Sequence, residues 1–307
     1  MGCLILSVVI LFRLSSSSSC ASIVSFDQGF SPLYGERNMI RYDDEGVQIS
    51  MDETTSSGFR SKLSYVHGRF ETSLKLPERN YTAGVVVTFY GSNDEKYPSY
   101  HDEIDFEFLG HIDGQNWLLQ TNFYGNGSTN RGREERYELW FDPSEDFHRY
   151  GVLWTDSRLT YYVDDVPIRH VDAVGADFPS KEMIWYGTIW NGSDWATAGG
   201  KYKLDMNYGP FIAKYSNFVL DGCPFNIETS SLSSTPCNNL AAGDTDMITT
   251  MGPEERARMH VFRRKLMTYS YCYDKKRYAM PFPECVFDSM ELQHLQTFDP
   301  WTFGSTK

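Results

Sequence analysis

Positive charge is what this chain has least of. Its 307 residues carry 28 Lys and Arg against 41 Asp and Glu, a formal net charge of -13. Nucleic acid and anionic membrane both select for clustered basic side chains, so neither is an expected partner, whereas a neutral polymer suits the charge. Beyond the first dozen residues no apolar run is long enough to span a bilayer. No internal repeat occurs. The six cysteines include no Cys-x-x-Cys pair, so no zinc site is expected, and no other metal or cofactor. What is abundant is aromatic: 20 Tyr, 20 Phe and 7 Trp within 41% hydrophobic residues, ample for a substantial core and for a sugar-binding surface.

Residues 1–21 read as a secretory signal peptide. An apolar stretch from Cys3 to Phe12 leads into a Ser run and then Ser19-Cys20-Ala21-Ser22, small residues suited to signal peptidase. No basic residue precedes the apolar stretch, and an uncleaved anchor is the alternative, for which the stretch is short. Leu6 breaks the myristoylation pattern. Removal of the leader leaves Cys223, Cys237, Cys272 and Cys285, an even set suited to an oxidising compartment. Of three possible pairings, Cys223 with Cys237 and Cys272 with Cys285 is favoured, because near neighbours in a loop-rich tail meet most easily. Each would close a short loop and contribute up to about 3 kcal/mol. Sequons at Asn80, Asn126 and Asn191 fit secretion, and Asn126, in Gly-rich turn sequence after an apparent strand, is the expected glycan site.

From residue 66 onward the chain breaks into short β-type runs at 69–76, 84–90, 103–109, 117–124, 136–141, 150–154, 159–163, 166–171, 183–190 and 214–220, with Asp164-Asp165 as a tight turn. Many short strands with little helix between them predict an all-β, two-sheet sandwich over residues 22–220. Composition then changes at Asp221-Gly222-Cys223-Pro224, and residues 221–307 are expected to form an extension packed on the sandwich. Residues 229–236 read as a Ser-rich loop. A helix begins at Pro253, with Glu254 and Glu255 in its first turn and Met259, Phe262 and Leu266 along one side. Its late Arg263, Arg264 and Lys265 suit the helix dipole and are expected to form a solvated face.

The decisive stretch is His101-Asp102-Glu103-Ile104-Asp105-Phe106-Glu107-Phe108-Leu109-Gly110. Successive side chains of a strand point to opposite sides, so Glu103, Asp105 and Glu107 share one face while Ile104, Phe106 and Phe108 anchor the other. Three carboxylates on one face repel, and the arrangement persists only if the charge is neutralised, solvated or used. The first and last lie about 13 Å apart at Cα, at about 3.3 Å per residue. Glu side chains leaning together can narrow this to the roughly 5–5.5 Å between carboxyl groups of a retaining glycosidase. Asp105 is shorter and sits between them as a helper. A bare acidic face and a calcium site are the bland alternatives; straight-strand alternation lacks the Gly-centred loop of common calcium sites.

This segment resembles the active-site strand of plant xyloglucan endotransglucosylase/hydrolases, within glycoside hydrolase family sixteen. Leu119-Gln120-Thr121-Asn122, Arg133-Glu134-Glu135-Arg136-Tyr137, Leu139-Trp140-Phe141-Asp142-Pro143, the stretch from Trp190 through Gly200 and the Cys-containing tail carry the likeness along nearly all of the chain after the leader. The resemblance implies a curved β-jelly roll with a cleft across its concave sheet and a short helical, disulfide-bonded C-terminal extension. It implies Glu103 as nucleophile, Glu107 as acid/base and Asp105 as helper. It also implies a secreted enzyme of the cell wall and apoplast that cuts xyloglucan and rejoins it to a xyloglucan or oligosaccharide acceptor.

Gln120 and Asn122 alternate, and the resemblance places them on the donor side. It puts Arg133 near the cleft, with salt bridging as the alternative role. Trp190 and Trp195 flank a turn that presents two flat apolar faces to pyranose rings, an expected acceptor side, and Tyr81 is expected to line the groove too. A glycan on Asn191 would obstruct that side, so this sequon is expected to be unused or to face away. His101 shares the acidic face and either orients a carboxylate or supports the strand end. A monomer is the default expectation. Hydrolysis of the same polymer, or a binding module without catalysis, are the competing functions.

Overall fold

The computed structural model describes residues 22–42, 46–226, 231–232, 251–299 and 305–306. Two antiparallel sheets face each other. In the first, hydrogen-bonded neighbours run Met267–Ser270, Glu135–Tyr137, Leu118–Tyr124, Glu103–Leu109, Val85–Ser92, Ile184–Asn191, Ser57–Ser61 and Phe30–Tyr34. In the second, they run Val166–Asp172, Arg158–Val163, His148–Trp154, Ser64–Lys75, Phe211–Asn226, Gly46–Met51 and Met39–Tyr42. This is the expected all-β, jelly-roll-like sandwich. Asp164 and Asp165 have φ of 46° and 62°, the left-handed backbone that a two-residue hairpin turn demands.

The acidic strand lies fourth of eight in the first sheet, and its apolar face is bolted to the second. Ile104, Phe106 and Phe108 are fully buried. Phe106 meets the Tyr150 and Tyr161 rings edge-on at 6.0 and 5.3 Å, and Phe108 meets Tyr150 at 4.6 Å. Tyr150 and Tyr161 belong to the opposite sheet, so these contacts fix the distance between layers as well as the strand. Burial of each large apolar side chain contributes about 1.5–3 kcal/mol.

Five strands precede residue 64, where none is expected from the sequence; Val47, Ile49 and Met51 alternate along Gly46–Met51, but the others carry little of the alternation that marked the rest. Ser57–Ser61, for example, holds one large apolar residue, Phe59. The expected strand at 136–141 instead spans Glu135–Tyr137. Beyond it the chain leaves the sheet, and Met267–Ser270 from the tail pairs along the outer edge of Glu135–Tyr137, setting Glu135 opposite Ser270 and Arg136 opposite Tyr269. The strand Phe211–Asn226 also runs through the expected boundary at 220 without a break.

The tail helix Pro253–Leu266 has Pro at its start, acids in its first turn and Arg263, Arg264 and Lys265 in its last. Its basic cluster is not a solvated face. Arg263 is mostly covered, donating from Nη1 and Nη2 to the two oxygens of Glu135 at 2.6 and 2.9 Å and from Nε to Glu291 at 2.8 Å. Arg264 pairs with Asp288, and Lys265 alone is exposed. Glu135 further accepts from Ser270 Oγ at 2.8 Å and lies 3.4 Å from Arg169 Nε of the second sheet. Burial alone would push Glu135 up, but the guanidinium groups of Arg263 and Arg169 hold its carboxyl well below the usual carboxylate range. Cys272 and Cys285 are bridged, with Cα atoms 5.6 Å apart. Cys223 is disulfide-bonded; Cys237, its expected partner, lies outside the described residues, as do the leader 1–21 and most of the Ser-rich stretch.

Removing Arg263 strands two buried carboxylates. Arg263→Ala is expected to cost about 3–5 kcal/mol in chemical denaturation; a loss within the range of a surface pair would show that this knot does not hold the tail. The depressed Glu135 fixes the sign with pH. Its contribution is complete above the ordinary carboxylate range and fades as pH falls through the lower folded-state value.

Candidate active site

The sheet register assembles the cleft floor in rows. Glu107 stands opposite Thr88 on one side and Gln120 on the other, Asp105 opposite Tyr90 and Asn122, and Glu103 opposite Ser92 and Tyr124. The Glu107 row continues outward through Thr188 in one direction and through Arg136 and then Tyr269 in the other. Over this floor lies an open cleft of about 870 Å³, lined among others by all three acids. Alternation thus does what the sequence predicted: the acids face one cleft and their apolar neighbours face the core.

Each of two acids has an amide partner in its own row. Gln120 Nε2 donates to Glu107 Oε2 at 2.5 Å, and Asn122 Nδ2 donates to Asp105 Oδ2 at 3.1 Å. Asn122 is itself held by a donation from the Arg133 backbone N–H at 2.8 Å. Glu107 is pushed up to about 7, chiefly by burial, with the charges of Glu103 and Glu134 adding to it against the Gln120 hydrogen bond. The crowding of carboxylates evident in the strand accounts for the lesser part of this rise; burial is the larger. Asp105 is raised well above the ordinary aspartate value, first by burial and then by its two glutamate neighbours. His101 sits at the strand entrance with Nε2 3.5 Å from Glu103 Oε2, and that carboxylate raises the proton affinity of the imidazole.

Trp190 and Trp195 both line the cleft, their ring centroids 6.1 Å apart and tilted by 44°. Trp190 stands opposite Val86, which stands opposite Leu109, one same-face step beyond the Glu107 row. The tryptophan pair therefore lies past Glu107, at the end away from Glu103. Asn191, next to Trp190, is exposed and its Oδ1 accepts from the Ser193 backbone at 3.0 Å. Asn126 and Asn80 are exposed as well.

Two expected groove residues are elsewhere. Arg133 does not reach the cleft. It is buried, paired with Asp177 at 2.9 Å and Glu284 at 2.6 Å, with its guanidinium over the Phe282 ring at 4.7 Å. Parity explains this: Arg133 and Glu135 point to one side, and Glu134 and Arg136 to the other, so of the two arginines in this run it is Arg136 that lines the cleft. Tyr81 is not among the lining residues; its hydroxyl donates to the Lys203 carbonyl at 2.9 Å and its ring stacks on Tyr208 at 5.0 Å.

Sequence reasoning missed Thr88, Tyr90, Glu134 and Arg136, and from the tail Asp274 and Arg277, all of which line the cleft. Arg277 grips Glu134 with two hydrogen bonds of 2.7 and 3.0 Å. Glu134 and Arg136 share a face by the same period of two, but nothing in the run tells which of its faces meets the cleft. Nothing local marks Arg277, which is brought in from 143 positions away.

The model described as Glycosyl hydrolases family 16 matches residues 26–208, and that described as Xyloglucan endo-transglycosylase (XET) C-terminus matches residues 238–285. The chain is similar to probable xyloglucan endotransglucosylase/hydrolase protein 27 of Arabidopsis thaliana, 50% identical over 287 residues that cover 92% of this chain and 85% of that protein. It is also similar to xyloglucan endotransglucosylase/hydrolase protein 31 of the same plant, 40% identical over 85% of this chain and 87% of the relative. Among solved structures, a Bacillus licheniformis beta-glucanase superposes with a TM-score of 0.51 at 23% identity, covering 62% of this chain and 90% of its own, a likeness of fold.

Because like charge adds to the proton affinity of Glu107, Glu103→Gln should lower its titration midpoint from about 7, while burial keeps it above the ordinary glutamate value. Side-chain carboxyl NMR titration reads this directly. An unmoved midpoint would mean that the two glutamates do not sense each other.

Proposed function

The chain belongs to glycosyl hydrolase family 16, and from that membership, with relatives named xyloglucan endotransglucosylase/hydrolases, we propose that it is a retaining, endo-acting xyloglucan endotransglucosylase of the plant cell wall. The observation that carries the reading is the pair of glutamates on one face of one cleft, with Glu107 pushed up to about 7. A carboxyl group in that range is protonated at mildly acid pH and suited to donate, while its partner attacks.

In the first step a Glu103 carboxylate oxygen bonds to the anomeric carbon of a backbone glucosyl unit. The bond from that carbon to the departing oxygen breaks, and the Glu107 proton passes to that oxygen. A glycosyl ester on Glu103 remains, its negative charge gone. In the second step the Glu107 carboxylate takes the proton of an acceptor hydroxyl, whose oxygen bonds to the same carbon as the ester bond breaks. Two inversions retain the configuration. Asp105, its proton affinity raised by burial and by its two glutamate neighbours, sits between them as the helper. Gln120 holds Glu107 and Asn122 holds Asp105, while the oxygens of the two amides accept from Arg136 and from the Arg133 backbone.

The leaving segment departs, and the acceptor arrives, on the side of the proton donor. Trp190 and Trp195 stand on that side of the Glu107 row, where their faces hold pyranose rings. Transfer competes with a large excess of water only if the acceptor is fixed in attack geometry, and this pair supplies that hold. The same proposal extends to secretion into the wall and apoplast with residues 1–21 as leader, a glycan on exposed Asn126, a monomeric state, and a catalytic body over residues 22–220 completed by the extension 221–307.

Long xyloglucan incubated with labelled xyloglucan oligosaccharide tests the reading: label should enter polymer while reducing ends stay nearly constant. Rising reducing ends without label in polymer would make it a hydrolase, and retained affinity with neither change a binding module. Glu103→Ala should abolish turnover and leave polymer binding intact. Trp195→Ala should raise the acceptor KM roughly 10-fold, the equivalent of about 1.4 kcal/mol of ring stacking, and increase the hydrolysed share of product; an unchanged acceptor KM would remove Trp195 from the acceptor side.

A further inference from the structure

Glu107 donates usefully only if its proton sits on the oxygen that faces the substrate. One of its oxygens, Oε2, is engaged by Gln120. Which way the Gln120 amide points is settled by its other neighbour, Arg136, whose Nε lies 2.6 Å from Gln120 Oε1. A guanidinium has donors and no acceptor, so the atom facing it must be the amide carbonyl. The amide nitrogen is thereby turned onto Glu107. Since that nitrogen only donates, Oε2 must accept, and the single proton of the acid is carried by Oε1.

Arg136 is held in turn by the tail. It is buried, directly opposite Tyr269 in the register of the strand Met267–Ser270, with its guanidinium 5.8 Å from the Tyr269 ring centroid. The Tyr269 hydroxyl is anchored by donation to Asp274 at 3.0 Å. Resting on the proposed role of Glu107 as proton donor, we propose that Arg136, seated on Tyr269 of the tail strand, is a positioning residue that fixes the Gln120 amide and so places the transferable proton on Glu107 Oε1. Without it the amide can turn over and present its carbonyl, and Glu107 then satisfies that carbonyl with the very proton the leaving oxygen needs.

The charged or titratable groups facing Glu107 across the cleft are Glu103 and Asp105 on its own strand, Tyr90 and Tyr124 on its two neighbours, Tyr34 at the far side, Glu134 and Arg136 beyond, and Asp274 and Arg277 from the tail. Loss of Arg136 removes a cation and frees the amide to turn away its N–H. Both changes favour protonated Glu107, so the alkaline limb of activity moves to higher pH even as the rate falls.

Full-length protein is assayed with two donors: xyloglucan with a labelled oligosaccharide acceptor, and a 2,4-dinitrophenyl β-glycoside of a xyloglucan oligosaccharide, whose leaving group departs as a stable anion and needs no proton. Arg136→Met should lose on the order of 100-fold in kcat on xyloglucan, the scale of general acid catalysis, with KM little changed and the alkaline limb displaced upward. First-turnover release of dinitrophenolate should stay within a few-fold of wild type. Arg136→Lys, which keeps a cationic donor, should return the wild-type limb. Equal losses on both donors, or an unmoved limb, would make Arg136 a substrate contact or a packing residue and overturn the proposal. A wild-type protein that releases dinitrophenolate but transfers no xyloglucan would instead contradict the proposed function, and one active on neither donor would remove both.

Discussion

Every feature of the cleft depends on one strand that is acidic on one face and apolar on the other. Three carboxylates at two-residue intervals repel one another, and a strand free to twist or slip would relieve that repulsion by moving them apart. Ile104, Phe106 and Phe108 prevent this. Their burial against Tyr150 and Tyr161 of the opposite sheet fixes the strand in depth, and its central place in the sheet fixes its register on both sides. A slip of one residue would put three acids into the core, so the packing that holds the fold also maintains the charge crowding that the chemistry uses. Electrostatic strain in the cleft is offset by hydrophobic burial behind it.

The second organising element is the buried Glu135 carboxylate. It gathers Arg263 from a tail helix, Ser270 from the tail strand and Arg169 from the far sheet, so four segments of the chain meet at one charge. Buried ion groups are costly to desolvate, and what they offer in return is geometric definition: each partner must be present or a charge is left bare. The consequence is that the tail joins the sheet edge-on, sets Tyr269 opposite Arg136 and carries Asp274 and Arg277 into the cleft wall. The extension is therefore part of the site. The Cys272–Cys285 bridge closes the loop that holds Asp274 and Arg277.

Parity along short strands explains both the successes and the failures of reading the site from the chain. Glu103, Asp105 and Glu107, and likewise Gln120 and Asn122, were found because each set repeats every two residues on a strand whose identity was plain. Arg133 was misplaced because the charged run Arg133-Glu134-Glu135-Arg136 gives no local sign of where its strand begins. Once Glu135 is known to face the core, Arg133 must follow it inward and Arg136 must take the cleft. The helix of the tail was equally legible from its Pro start and charge order, yet the fate of its basic end was not. Nothing in Arg263-Arg264-Lys265 tells which cation will meet a buried carboxylate more than a hundred residues away.

The sequence by itself determined the two-sheet class, the acidic strand with its partition into cleft and core faces, and the shared face of Gln120 and Asn122, because each is written in local periodicity; among three pairings it favoured the Cys272–Cys285 bridge that the structure contains. The edge strand Met267–Ser270, the arginines of the cleft, the side of Glu107 on which Trp190 stands, and burial as the main cause of the raised Glu107 were decided by tertiary structure. These depend on which distant segments become neighbours. Proton affinity and cleft shape are properties of that neighbourhood, which no single stretch of chain contains.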